Sequence, residues 1–217
     1  MIGVIIPVHN EQASLDRCLQ SVMQAAEHGT LCTELVRIVV VLDDCSDHSR
    51  DIAQRYPVRL IDITAGNPLA ARAAGADHLV HAGARWLALT EADVRVPDDW
   101  LAAQLAYQVD AVCGRVDAEP GARKGVPGQR RRRSIALDEL RPGVHGANLG
   151  ISTVAYMDAG GLSAVTGQDE MQLIRRVEAN GRRIAWSGSV RVRRCAVVGS
   201  GYGEPARLPA LSRASGF

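Results

Sequence analysis

Leu89-Thr90-Glu91-Ala92-Asp93-Val94-Arg95-Val96-Pro97 places two carboxylates, Glu91 and Asp93, one residue apart at the end of the apolar run 86–89. A short apolar run of this kind reads as a buried strand. Two acids at the exit of a buried strand repel each other and are costly to desolvate. They become favourable when a divalent cation lies between them and a phosphate. Hard cations such as Mg²⁺ and Mn²⁺ take carboxylate oxygens together with substrate phosphates. The same acids also suit the start of a loop or a cap for a helix at Pro97, and this stretch alone leaves both readings open.

Outward from this stretch, strand and helix patterns alternate. Residues 2–7 read as a strand, Asn10 as an N-cap, and Leu15, Cys18, Leu19, Val22 and Met23 as one face of a helix. Residues 35–42 form the next apolar run. The acidic loop Asp43-Asp44-Cys45-Ser46-Asp47 follows, then a helix ending near Tyr56-Pro57. Residues 58–63 read as a third strand, and Asn67-Pro68 opens an Ala-rich helix to about His81. Residues 86–90 are the fourth strand and 98–107 the helix after it. This order predicts an α/β domain with a mostly parallel sheet. Such sheets bind ligands beyond the carboxyl ends of their strands. Val8-His9-Asn10, Asp43 to Asp47 and Glu91 to Asp93 all follow strands directly, so three polar loops converge on one edge.

The second half differs. Residues 111–116 read as a strand. Residues 119–142 are rich in Gly, Pro and Arg, include Arg130-Arg131-Arg132-Arg133, and read as a long mobile loop. Four consecutive arginines suit either a solvated loop or an anionic acceptor or lipid headgroup. Residues 144–152 carry His145-Gly146-Ala147-Asn148, and Gly160-Gly161-Leu162 reads as a turn. Residues 169–180 form a helix stopped at Gly181. Residues 183–186 and 190–192 are short strands, and the Gly/Pro-rich tail from 199 is irregular.

Composition bounds the function. The 217 residues suffice for one substantial core. A net charge of +1 and scarce aromatics argue against nucleic-acid binding, which needs a basic face or stacking platforms. The five cysteines form no C-x-x-C pair, which points to reduced thiols in a cytoplasmic protein. Strand-like sequence from Ile2 leaves no room for a signal peptide. The longest aliphatic run, 38–42, is too short to span a bilayer, so membrane contact would be peripheral. No oligomeric state is signalled.

Seven motifs in order carry a resemblance. They are Val-Ile-Ile-Pro-Val-His-Asn (4–10), Val-Leu-Asp-Asp-Cys-Ser-Asp (41–47), Asn-Pro-Leu-Ala-Ala-Arg-Ala-Ala-Gly (67–75), Thr-Glu-Ala-Asp (90–93) with Val-Pro-Asp-Asp-Trp (96–100), Gly-Ala-Asn-Leu-Gly-Ile (146–151), Ala-Gly-Gly-Leu (159–162) and Gly-Gln-Asp-Glu (167–170). From Ile2 to about Trp186 the chain resembles family-2 glycosyltransferases of the GT-A fold. The resemblance implies one GT-A-type domain: a nucleotide-sugar-binding half over 1–110, an acceptor-side and catalytic-base half over 111–198, and a tail over 199–217. It implies inverting transfer from a UDP- or GDP-sugar donor to an unknown glycosyl acceptor hydroxyl, with Mn²⁺ or Mg²⁺ as cofactor.

By the same resemblance, Pro7, Val8 and His9 wall the nucleotide base, and Asp44, with Asp43 nearby, accepts a base N–H. Glu91, Ala92 and Asp93 form the metal–diphosphate element. Asp93 matches the usual metal ligand, whereas Glu91 is one methylene longer than the usual Asp. Arg72 either faces the diphosphate with a bidentate fork or is an exposed helix arginine. Asp169 fits the general base, a position that also suits a helix cap. Gln168 stands where the family often has Glu, and His145 and Asn148 fall on the acceptor side. Glu91 and Gln168 keep a second reading open, a catalytically reduced nucleotide- or sugar-binding relative. A sugar nucleotidyltransferase is disfavoured because residues 7–10 are not the Gly-rich, Arg- and Lys-bearing loop such enzymes use. A dinucleotide-dependent dehydrogenase is disfavoured by the missing G-x-G-x-x-G.

Overall fold

The computed structural model describes residues 1–118 and 144–195. The loop expected over 119–142, with its four arginines, and the tail from 199 lie outside the described residues. Strands are β1 (Ile2–Val8), β2 (Val36–Asp43), β3 (Arg59–Ile63), β4 (Trp86–Leu89), β5 (Val94–Arg95), β6 (Ala111–Ala118), β7 (Leu149–Ser152) and β8 (Ile184–Arg194). Helices are α1 (Leu15–Ala26), α2 (Ser49–Ala53), α3 (Pro68–His81), α4 (Trp100–Ala106), α5 (Thr153–Asp158) and α6 (Glu170–Ala179).

The strands form one sheet in the order β3-β2-β1-β4-β7-β6-β8-β5. Pairings β3–β2, β2–β1 and β1–β4 are parallel, β7 runs antiparallel to β4 and β6, and β8 runs parallel to β6. This is the expected α/β domain with a mostly parallel sheet. Its apolar strands are buried on both faces because helices cover both. Along β1, Ile2, Val4, Ile6 and Val8 enter the core shared with α1 and α4, while Ile5 enters the one shared with α3 and α6. Burying each such side chain stabilises the fold by about 1.5–3 kcal/mol. Gly75 sets how closely α3 approaches: a Cβ there would meet Ile5 Cγ2 at 2.7 Å and Val41 Cγ2 at 3.2 Å.

Several local expectations shift. Helix α1 starts at Leu15 after Ser14, so Asn10 is not its cap. The strands expected at 183–186 and 190–192 are one strand, β8, with an irregularity opposite residues Cys113 and Arg115. Three elements emerge that the sequence pattern did not suggest: the two-residue strand β5, the strand β7 and the one-and-a-half-turn helix α5. Among the described residues no helix is long and apolar enough to cross a membrane.

Candidate functional site

The carboxyl ends of β1, β2 and β4 deliver the three polar loops to one edge, and hydrogen bonds knit the first two together. Asn10 Oδ1 accepts from the backbone N–H of Ser46 (2.8 Å) and Asp47 (3.2 Å). His9 donates from Nδ1 to the Asp43 carbonyl at 2.6 Å. Asp47 accepts from the N–H of Gln12 and Ser49, and so holds the first N–H of α2 from two residues before it. Pro7 and Val8 are buried at the strand end, and the Val8 carbonyl accepts from the Cys45 thiol at 3.3 Å.

The adjacent acids of the second loop divide. Asp43 is fully buried, and its carboxylate accepts three backbone N–H groups, from Ala65 (2.7 Å), Gly66 (2.9 Å) and Asn67 (2.7 Å). It therefore anchors the loop before α3, its carboxylate turned toward that loop's backbone N–H groups. Asp44 is exposed, and among the described residues no side-chain hydrogen bond or ion pair engages its carboxylate. Its backbone sits at φ +50, as Asn10 does at +54. Such left-handed residues carry a modest backbone cost, least for Asn and Asp, and tend to cluster at functional loops.

Beyond β4, Glu91 and Asp93 remain partly exposed while Ala92 between them is buried. Two arginines hold the acids. Arg72, on α3, is 7% exposed and not an outward-facing helix residue. It donates through Nη2 to Glu91 Oε1 at 2.7 Å, and its Nη1 lies 3.0 Å from Glu170 Oε1. Arg194, at the end of β8, donates through Nη1 to Asp93 Oδ2 at 3.1 Å and through Nη2 to Glu91 Oε2. Three carboxylates thus share two guanidiniums. Burial pushes the Asp93 carboxyl up to about 6. Arg194 pulls it down, and Glu91 and Glu11 push it up.

Glu170 and Arg194 are the members of this cluster that sequence reasoning missed. The structure explains the glycine at 146 beside them. A Cβ at Gly146 would lie 2.6 Å from Arg72 Nε and 2.7 Å from Glu170 Oε1, so the Arg72–Glu170 pair requires glycine there. On the acceptor side, Asn148 does not line a pocket. It is 1% exposed and its amide is spent, accepting from Trp100 Nε1 (2.9 Å) and donating to the carbonyls of Arg115 and Val190 (both 3.0 Å). Gln168 is likewise buried and donates to the Ala159 carbonyl at 2.8 Å. His145 is exposed. Asp169 is exposed and caps α6, accepting from Gln172 N–H through Oδ1 at 2.8 Å. Its second oxygen has no partner among the described residues.

Among the described residues no three His, Cys, Asp or Glu side chains enclose a cation. Glu91 and Asp93 alone nevertheless fit a hard divalent cation, which takes one or two carboxylates and fills its remaining positions with water and substrate phosphates. A cavity of about 490 Å³ opens where β5 meets β8, lined by Arg95, Asp99, Asp117, Arg191 and Arg193 among others. None of the acids expected to bind donor lines it, so the converging loops define the candidate site.

The family model described as glycosyl transferase family 2 matches residues 3–177. Among solved structures, S. aureus TarS 1-349 in complex with UDP-GlcNAc superposes with a TM-score of 0.66 at 17% identity, covering 93% of this chain and 60% of that one. The mannosyltransferase PcManGT from Pyrobaculum calidifontis, in complex with GDP-Man and Mn²⁺, gives a TM-score of 0.65 at 18% identity, covering 93% and 58%. These likenesses establish a GT-A fold. The present chain spans about 60% of the length of those relatives.

Proposed function

This chain belongs to glycosyl transferase family 2, and on that premise we propose that it is an inverting, metal-dependent transferase moving a sugar from a UDP- or GDP-sugar to an acceptor hydroxyl. The observation that carries the reading is the Glu91–Asp93 pair at the exit of β4, ion-paired to arginines, with the unengaged Asp44 carboxylate on the loop after β2. The donors bound by the two solved relatives, UDP-GlcNAc and GDP-Man, fit the same reading.

Asp44 accepts an N–H of the nucleotide base, and the buried Asp43 holds the 65–67 loop beneath it. Asp93, with Glu91, would hold a divalent cation. Such an ion stabilises the negative charge that builds on the departing nucleoside diphosphate. Arg72 fixes Glu91 from behind and links it through Glu170 to the start of α6. That link sets the distance between donor site and base. Asp169 Oδ1 stays tied to Gln172 N–H, which orients Oδ2 to take the proton from the acceptor hydroxyl. The hydroxyl attacks the anomeric carbon on the face opposite the diphosphate.

A second reading, a donor-binding relative without turnover, is favoured by the buried Gln168, whose side chain serves the fold and leaves Asp169 without an acidic neighbour in the chain before it. One experiment separates the two. Thermal shift is recorded with UDP- and GDP-sugars, with Mn²⁺ or with chelator, alongside transfer assays of wild type and Asp169→Asn. Metal-enhanced stabilisation by a nucleotide-sugar, with transfer lost in Asp169→Asn, supports the transferase. Donor binding without transfer by wild type supports the binder, and no metal dependence removes the cation role of Asp93.

A further inference from the structure

We propose that Arg194 is a resident counter-cation that couples metal and nucleotide binding. In the free protein its guanidinium occupies the Glu91–Asp93 pair, and it transfers to the donor diphosphate when a divalent cation takes the carboxylates. The proposal rests on the metal–diphosphate reading given above and adds a residue to it.

Backbone pairing fixes the position. Val94 pairs with Arg194 across β5–β8, and Cys195 N–H donates to the Asp93 carbonyl at 2.7 Å. This register sets the Arg194 side chain over both acids, and its two terminal nitrogens engage one carboxylate each. The two arginines of the cluster differ in their freedom. Arg72 has a side chain only 9% exposed and is held between Glu91 and Glu170, whereas the Arg194 side chain is 44% exposed and borne on the last described strand. Arg194 can therefore move where Arg72 cannot.

Electrostatics make the two cations exclusive. A divalent ion on Asp93 repels a guanidinium bound to the same carboxylates. Without nucleotide, the ion has to expel Arg194 into water. With nucleotide present, the diphosphate offers that guanidinium an equivalent bidentate acceptor. Conversely, a diphosphate arriving without metal meets carboxylates that Arg194 can no longer screen if it turns away. Each ligand thus favours the other, by the same factor in both directions.

The test is Mn²⁺ binding followed by electron paramagnetic resonance, with UDP and GDP as probes, on wild type, Arg194→Ala and Arg194→Lys, each checked for wild-type circular dichroism. Wild type should bind Mn²⁺ weakly alone and tighter by a factor in the range of about 5–150 with nucleotide. Arg194→Ala should bind Mn²⁺ alone more tightly than wild type, with the nucleotide effect reduced to less than about threefold. Arg194→Lys, a point charge without the fork, should fall between them. Equal Mn²⁺ affinity of wild type and Arg194→Ala without nucleotide, while Mn²⁺ still binds with nucleotide, overturns the role of Arg194 and leaves the metal reading intact. Absence of Mn²⁺ binding to any form with nucleotide overturns both.

Discussion

Replacing Asp43 by Asn separates an anchoring acid from its exposed neighbour, the proposed base acceptor Asp44. In the folded protein Oδ1 of Asp43 takes the N–H groups of Ala65 and Gly66, and Oδ2 takes that of Asn67. An asparagine oriented to keep the first two bonds turns an NH₂ toward the Asn67 N–H. One charge-assisted bond is lost outright, at about 1.5–3 kcal/mol, and two others become neutral, at about 1 kcal/mol each. The expected loss is about 3–5 kcal/mol. For a chain of this length a loss of that size lowers Tm on the order of 10 °C. Asp44→Asn provides the control. Asparagine tolerates the left-handed backbone at this position, and the carboxylate has no partner among the described residues, so stability should hold within about 0.5 kcal/mol. Urea unfolding measures both, and thermal shift with UDP or GDP measures binding. The reasoning is refuted if Asp43→Asn lies within about 1 kcal/mol of wild type, or if Asp44→Asn keeps full nucleotide stabilisation.

Three further outcomes are expected. Gly146→Ala places a methyl against Arg72 Nε and Glu170 Oε1; it should cost about 1–3 kcal/mol by overpacking and weaken donor binding, and a wild-type urea midpoint would contradict the contact. Asn148→Ala removes the partner of Trp100 Nε1, of the buried Val190 carbonyl and of the part-buried Arg115 carbonyl; at least one penalty of about 1–3 kcal/mol should appear in unfolding, while nucleotide binding by the folded fraction stays unchanged. The third concerns pH. Asp93 is held up at about 6 by burial, against an ordinary 3.8, so the folded protein binds this proton more tightly than the unfolded chain. Its contribution to stability is most favourable below pH of about 4 and declines as pH rises to about 6. In chelator, Asp93→Asn should therefore gain stability over wild type between pH 4 and pH 6 (both about), and a pH-independent difference between the two proteins would count against the burial of this carboxyl.

The parallel half of the sheet was legible because its strands are contiguous apolar runs, buried on both faces, with acids placed at their exits. The pairing of Asp43 and Asp44 was not divisible from sequence. Both are aspartates after the same strand, and only the path of residues 65–67 decides which one turns inward. Asn148 and Gln168 were assigned to the acceptor side by the family resemblance, yet their partners, backbone carbonyls and the Trp100 indole, are groups that the linear sequence does not bring near. Strand β5 has two residues, too few for any periodicity. Arg194 was invisible for a different reason: its partner Asp93 lies 101 positions away along the chain. Sequence motifs mark residues with chemistry, but an ion pair across that separation exists only once the sheet order is known.

That sheet order carries a consequence for how the protein becomes competent during synthesis. The loop bearing Glu91 and Asp93 emerges early, yet the strand that follows it pairs only with the end of β8. Contacts of such long sequence separation form late, after the loop-closure entropy of the intervening chain has been met. A ribosome-bound chain stalled before Val192 can assemble β1 to β4 but has no partner for Val94 and Arg95. On the function proposed above, full donor affinity then requires the chain through Arg194. A nested series of C-terminal truncations should show helical content and the β1–β4 core persisting to shorter lengths than nucleotide binding does.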